Sequence, residues 1–235
     1  MVMGYALFKK MLAPLVLGAA LMNAGPGAAA PGPATPTTGK GQPRVVLAFG
    51  DSLTAGYGLP ATEGFTRQLE NALKAQGLNV RVHNAGVSGD TSSGGRSRLG
   101  WVLSSLKEKP DLVILELGAN DALRGVDPKV TRENMDAMLT ELKKQDLNVL
   151  LAGMYAPRGL GATYYKSFDS IYPDMAKKHA VPLYPFFLDG VAGDPKLNQR
   201  DGIHPNKDGV AQIVKRIAPH VARALQGAGS RAVAR

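Results

Sequence analysis

The sequence predicts an α/β protein, a doubly wound three-layer α/β/α sandwich around a five-stranded parallel sheet. Two observations point there. Short apolar runs alternate with stretches of helical spacing from Val45 to Leu225. Alternation of apolar strands with helices argues for a parallel sheet covered on both faces. The loops after the first three runs, 50–59, 84–95 and 118–125, are rich in Gly, Ser, Asn and Asp. In such a sheet they share the carboxyl edge, where functional loops gather.

The elements follow in order. Val45-Val46-Leu47-Ala48-Phe49 is a buried strand ending at Gly50. Phe65, Leu69 and Leu73 recur at four-residue steps on one helical face, and Gly77 closes that helix. A second strand is expected over Asn79–His83, a helix near Leu99–Leu106 and a third strand over Leu112–Leu115. Pro128 suits the first turn of a long helix reaching Lys144. A strand over Val149–Leu151, a helix around Tyr164–Lys178, a short strand over Val181–Tyr184 and a helix from Lys207 to Leu225 complete the pattern.

The ends differ from this body. Lys9 and Lys10 precede an apolar run from Met11 to Met22 and an exit of small residues ending in Ala28-Ala29-Ala30. That order describes a secretory signal peptide over residues 1–30, cut near Ala28 or Ala29, and hence an exported, periplasmic or secreted protein. Residues 31–43 read as a flexible Pro/Gly-rich leader, 44–226 as the folded domain and 227–235 as a disordered tail.

Composition narrows the chemistry. The absence of cysteine excludes disulfides, thiolate catalysis, cysteine zinc sites and a lipoprotein anchor. His83, His179, His204 and His220 make no H-x-x-x-H pair, so a metal site is not indicated. The formal charge is +9, but the cations are scattered among acids and read as a solvated surface rather than a nucleic-acid face.

Gly50-Asp51-Ser52-Leu53 places a serine between a buried strand and a helix. There its hydroxyl can meet backbone amides, or simply cap the helix. It is neither the G-x-S-x-G elbow, since Ala55 replaces the second glycine, nor a phosphate loop. Asp201-Gly202-Ile203-His204-Pro205-Asn206 sets a carboxylate three residues before an imidazole. Such a pair can activate a serine hydroxyl, the imidazole taking the proton and the carboxylate fixing its tautomer. Gly89, in Val87-Ser88-Gly89-Asp90, can offer a backbone N–H to an oxyanion, and Asn120, in Gly118-Ala119-Asn120-Asp121, its amide; each is also an ordinary turn residue.

These four blocks resemble the SGNH (GDSL) hydrolase superfamily, Ser52, Gly89, Asn120 and His204 supplying its four letters in order. Gly50–Tyr57, Ser88–Ser92, Glu116–Asp121 and Asp201–Asn206 look most like the bacterial thioesterase I, lysophospholipase and arylesterase branch, as do Ile171–Pro173 and Val181–Phe187. The resemblance implies a flavodoxin-like SGNH hydrolase fold and cleavage of carboxylic esters and acyl thioesters. It implies a Ser52–His204–Asp201 triad and an oxyanion held by the Ser52 N–H, the Gly89 N–H and the Asn120 side chain. Small-molecule ester or thioester substrates follow, with no cofactor, nucleic acid or stable membrane anchor. Ala119 departs from the branch, which often has a second glycine there.

Asp51, Asp90 and Asp121 are expected to brace loops. Met154, Tyr155 and Pro157, after the fourth strand, either line an acyl groove or pack the core, and Leu160 and Phe187 are open in the same way. A carbohydrate O-acetyl esterase is the alternative within this chemistry, against which the single tryptophan, Trp101, argues; a non-catalytic binding module is a third.

Overall fold

The computed structural model describes residues 41–233. The expected signal peptide and nearly all of the leader lie outside them. Among the described residues, no helix is long and apolar enough to cross a membrane.

Five parallel strands form one sheet in the order β2-β1-β3-β4-β5. They are β1 (Arg44–Gly50), β2 (Val80–Gly86), β3 (Leu112–Glu116), β4 (Val149–Ala152) and β5 (Leu183–Tyr184). Every residue of β3 and β4, and all of β1 beyond Arg44, is buried, which is why these runs carry no polar alternation. The helices are α1 (Ser52–Ala55), α2 (Phe65–Ala75), α3 (Ser92–Ser105), α4 (Ala119–Leu123), α5 (Pro128–Lys144), α6 (Ala162–Asp169), α7 (Ile171–His179) and α8 (Lys207–Val233). A single 3-10 turn spans Arg158–Leu160. Helix α2 packs on α8, whereas α5 packs between α3 and α7, so the sheet carries two helical layers.

The strand order is flavodoxin-like, and its direction reverses at β1, whose neighbours are β2 and β3. A crevice at the carboxyl ends of β1 and β3 is the geometric consequence. Ser52 follows β1 and Asn120 follows β3, so both stand at that crevice.

Several boundaries differ from the sequence reading, each for a tertiary reason. Strand β2 runs on to Gly86 because its pairing with β1 continues through Gly50↔Gly86, overriding the poor strand propensity of Asn84. Helix α3 starts at Ser92 rather than near Leu99. Its glycine-rich first turn is held by Asp121, whose carboxylate accepts the Ser92 N–H at 2.7 Å. The helix expected around Tyr164–Lys178 is two, because Pro173 has no N–H to donate to Asp169 and the chain breaks at Ser170. Strand β5 is only the last two residues of its expected span. Helix α8 continues to Val233, into the stretch expected to fray, since extending a formed helix needs no new nucleus.

Candidate active site

The turn after β1 is shaped by what packs against it. Asp51, fully buried, is the residue that caps α1: its Oδ1 accepts the Leu53 N–H at 2.9 Å. Ser52 is therefore not the cap. It is the first residue of α1, where a backbone N–H has no acceptor within the helix. The end of β2 leaves room for this turn only because residue 86 is glycine; a Cβ there would stand 2.3 Å from the Ala55 nitrogen and 2.8 Å from the Asp51 carbonyl.

The loop before α8 returns to the same place. Asn198 and Pro205 bridge its two arms, and the Gln199 N–H donates to the His204 carbonyl at 2.7 Å. Gln199 Nε2 also donates to the Tyr57 carbonyl at 2.7 Å, fastening this loop to the one that carries Ser52. His204 Nε2 lies 2.9 Å from Ser52 Oγ, and His204 Nδ1 lies 2.8 Å from Asp201 Oδ2. The other oxygen of Asp201 accepts the N–H groups of Ile203 and His204, each at 3.0 Å. Tyr57 covers the imidazole, with ring centroids 4.4 Å apart.

Gly89 and Asn120 stand across the crevice. Gly89 has φ +81°, a left-handed conformation that favours glycine; a Cβ there would meet only Arg124 Nη2, at an ordinary 3.5 Å. Asn120 Nδ2 donates to the Asp90 carbonyl at 2.9 Å and, more weakly, to Asp51 Oδ2 at 3.2 Å.

The three other aspartates brace their loops. Asp51 caps α1, Asp90 pairs with Arg98 at 2.6 Å, and Asp121 binds Ser92 together with the Thr131 hydroxyl, at 3.0 Å. Two supporting groups escaped the sequence reading. Arg98 donates to the carbonyls of Ala85 and Gly50, each at 2.8 Å, tying together the ends of β2 and β1. Glu116, wholly buried at the end of β3, accepts from the Thr54 hydroxyl at 2.8 Å. Its position at the end of an apolar run was the available signal: a lone carboxyl there must be buried behind the loops.

The carboxyls fall into two electrostatic classes. Burial raises Asp51 to about 6, against the opposing pull of the Leu53 N–H, His204 and Asn120. Burial also pushes Glu116 well above the usual carboxylate range, and the neighbouring Asp51 adds to the rise. Asp201 goes the other way. Desolvation opposes ionisation there, but hydrogen bonds from the His204 backbone, the His204 ring and the Ile203 backbone outweigh it and hold the carboxyl at about 2.

A cavity of about 870 Å³ opens in front of Ser52 and His204. Met154, Tyr155 and Pro157 all line it, joined by Leu123, Phe186 and Ile203. Tyr155 stacks on Phe186 at 4.7 Å between centroids, and Met154 is nearly buried, so it serves wall and core at once. Phe187 belongs to the core, edge-on to Phe65, and Leu160 is exposed outside the cavity. Phe186 was missed because two adjacent phenylalanines at a strand end face opposite ways, and only the fold says which faces the cavity. Among the described residues no cluster of three or more metal-ligating side chains occurs.

Residues 48–212 match the profile of the GDSL-like lipase/acylhydrolase family, a span that takes in both the Ser52 turn and the His204 loop. The chain belongs to this family. Within it, the chain is 38% identical over 176 residues to esterase TesA of Pseudomonas aeruginosa, a match covering 75% of this chain and 87% of that protein. It is 39% identical over 163 residues to thioesterase 1/protease 1/lysophospholipase L1 of Escherichia coli K12, covering 69% and 76%. Its fold is similar to the crystal structure of AlinE4, an SGNH-hydrolase family esterase, with 49% identity, a TM-score of 0.68 and coverage of 80% of this chain and 99% of that one. This GDSL family member is an ester-cleaving enzyme of the thioesterase I and arylesterase branch, acting on small-molecule esters.

Proposed function

We propose that the enzyme is a serine hydrolase that cleaves carboxylic esters and acyl thioesters through an acyl-enzyme, with Ser52, His204 and Asp201 as its triad. The observation that carries this reading is the unbroken line of contacts Ser52 Oγ–His204 Nε2 (2.9 Å) and His204 Nδ1–Asp201 Oδ2 (2.8 Å). An imidazole with a carboxylate on Nδ1 keeps Nε2 as the acceptor, and that nitrogen faces the serine.

His204 takes the Ser52 proton as Oγ attacks the acyl carbon. The negative charge that forms on the carbonyl oxygen is met by the N–H groups of Ser52 and Gly89 and by the Asn120 amide. Of the two Asn120 bonds, the longer one to Asp51 supplies the hydrogen that turns to the oxyanion. Protonated His204 then gives its proton to the departing alkoxide or thiolate, leaving Ser52 acylated. Water, deprotonated by His204, attacks the acyl carbon, and as the C–Oγ bond breaks protonated His204 returns the proton to Ser52 Oγ, freeing the carboxylic acid. Asp201 stays ionised throughout and stabilises the imidazolium.

The mostly apolar cavity walls favour short-to-medium acyl esters and thioesters, and lysophospholipids beside them, with Met154, Tyr155 and Pro157 against the chain. A carbohydrate ester reading lacks support from Trp101, which is exposed on α3 and does not line the cavity. A binding module without catalysis has no use for a relay of this geometry. Residues 1–30 are assigned as a signal peptide, and the mature enzyme acts outside the cytoplasm. Amino-terminal sequencing of the protein from an exported fraction tests this; a start at Met1 refutes it.

Hydrolysis of nitrophenyl esters and acyl-CoA substrates of graded chain length, by the wild type and by Ser52→Ala, tests the main reading. The expected loss in kcat is ~10⁶-fold, by analogy with other triads. Unchanged turnover in Ser52→Ala would sink it.

A further inference from the structure

Eight large apolar side chains are markedly exposed among the described residues, and they are not scattered. Tyr57, Leu123, Tyr155 and Ile203 stand at the cavity itself. Val87 directly precedes Ser88, a lining residue, and Leu160 ends the short turn that begins at the lining residue Arg158. Six of the eight thus form a collar around one opening. A substrate groove accounts for its own walls, but not for Val87 and Leu160, which lie outside the cavity. An apolar patch of this kind on an otherwise polar surface marks a contact surface.

The charges around the collar select the partner. Arg124, in the loop that carries Leu123, spends one guanidinium nitrogen on the Gly89 carbonyl at 2.9 Å and makes no ion pair among the described residues. Arg200, beside Asp201, is exposed, and no ion pair or hydrogen bond of its side chain occurs among the described residues. Of the rim acids, Asp201 and Asp127 keep their charge while accepting hydrogen bonds from His204 and the Lys129 N–H, and Asp90 is neutralised by Arg98. Arg158 is likewise neutralised by Asp169. The rim presents apolar side chains with Arg124 and Arg200 between them, both without an ion pair among the described residues, on a chain whose formal charge of +9 becomes +7 once Lys9 and Lys10 leave with the signal peptide.

We propose that this collar docks the enzyme reversibly onto an anionic lipid surface. The exposed apolar side chains enter the interfacial layer, Arg124 and Arg200 meet headgroup phosphates, and the cavity opens toward the acyl chains. The use made of docking, capture of acyl substrates from the bilayer, rests on the acyl-hydrolase reading above; the docking itself does not.

The test is cosedimentation of the Ser52→Ala protein, which leaves lipid intact, with vesicles of phosphatidylcholine alone or mixed with phosphatidylglycerol. Binding is expected only to the anionic vesicles, weakening as salt rises. Arg200→Gln should lower the partition coefficient about fivefold, and Leu160→Ser about tenfold. With Ser52 intact, the Arg200→Gln and Leu160→Ser variants should hydrolyse a short, soluble nitrophenyl ester at the wild-type rate, because neither residue lines the cavity. No binding, equal binding to both vesicle types, or variants that bind like the parent would each overturn the proposal. So would a stable dimer in sedimentation velocity that dissociates in Leu160→Ser. Loss of the triad reading shows separately, as retained ester hydrolysis in Ser52→Ala.

Discussion

The ring of Tyr57 lies over the imidazole of His204, centroids 4.4 Å apart and planes inclined by 35°. The phenol face is thus set against the group that the proposed relay turns into a cation during turnover. A π face attracts such a cation by ~0.5–1 kcal/mol at an exposed site, and Tyr57 is half-exposed. Tyr57→Leu should lower kcat about two- to fivefold, while Tyr57→Phe, which keeps the face, should stay near wild type. Steady-state kinetics on a soluble ester decide it; equal kcat in Leu and Phe variants would remove any electrostatic role.

Asp201 holds His204 by its ring and by the backbone of the same loop. Asp201→Asn keeps the shape but can present an N–H to Nδ1, which favours the tautomer that cannot accept from Ser52. Loss of kcat up to about 10⁴-fold is expected, with little change in KM. Full activity would refute the orienting role. The same carboxyl adds to stability in the opposite pH sense from its buried neighbours. Held at about 2 in the folded state, it contributes fully above its ordinary value of 3.8, and that contribution is lost as the pH falls toward 2.

Glu116 and Asp51 show the contrary slope. A carboxyl raised by folding takes up a proton when the chain folds. The stability it allows is complete below its unfolded value and declines as the pH rises through the folded one. For Asp51 that window runs from 3.8 to about 6. For Glu116 it begins at 4.5 and extends well above it. Glu116→Gln, which cannot ionise, should therefore gain stability over the wild type progressively above pH 4.5 and match it below. Urea unfolding from pH 4 to 8 reads this directly; a constant difference across the range would show that Glu116 is ionised when folded.

Gly86→Ala should act through the backbone. The added carbon would stand 2.7 Å from the Ala55 Cα and closer still to its nitrogen, and no flexible side chain is there to yield. Overpacking of this kind typically costs ~1–3 kcal/mol, and it moves α1, which carries Ser52. Lower stability together with lower kcat is expected; a stability loss with unchanged kcat would mean that the turn relaxes elsewhere.

Much of this was legible beforehand because strand burial and helix periodicity are written locally. The five apolar runs became five parallel strands, and α5 begins at Pro128 and ends at Lys144 as the sequence reading had it. Ser52, Gly89, Asn120, Asp201 and His204 were likewise recognisable, since they sit in short blocks of distinctive residues. The structure brings Ser52, His204 and Asp201 into contact and sets Gly89 and Asn120 around the same cavity.

What the sequence could not decide was which of two local roles each residue plays. Ser52 and Asp51 both suit a helix cap. The choice fell to Asp51 because the Leu53 N–H and the Asn120 amide donate to its carboxyl, while Ser52 faces the cavity. Arg98 and Glu116 hold the ends of β1 and the Ser52 turn from positions 48 and 62 residues away in the chain, so local pattern does not announce Arg98 at all and marks Glu116 as a buried carboxyl without saying what it holds. Phe186 and Phe187 are adjacent and chemically identical, yet one lines the cavity and the other fills the core. Periodicity and motif record what a residue does with its near neighbours. Burial, pKa and the face a side chain presents depend on partners far off in the chain, and only the folded packing supplies those.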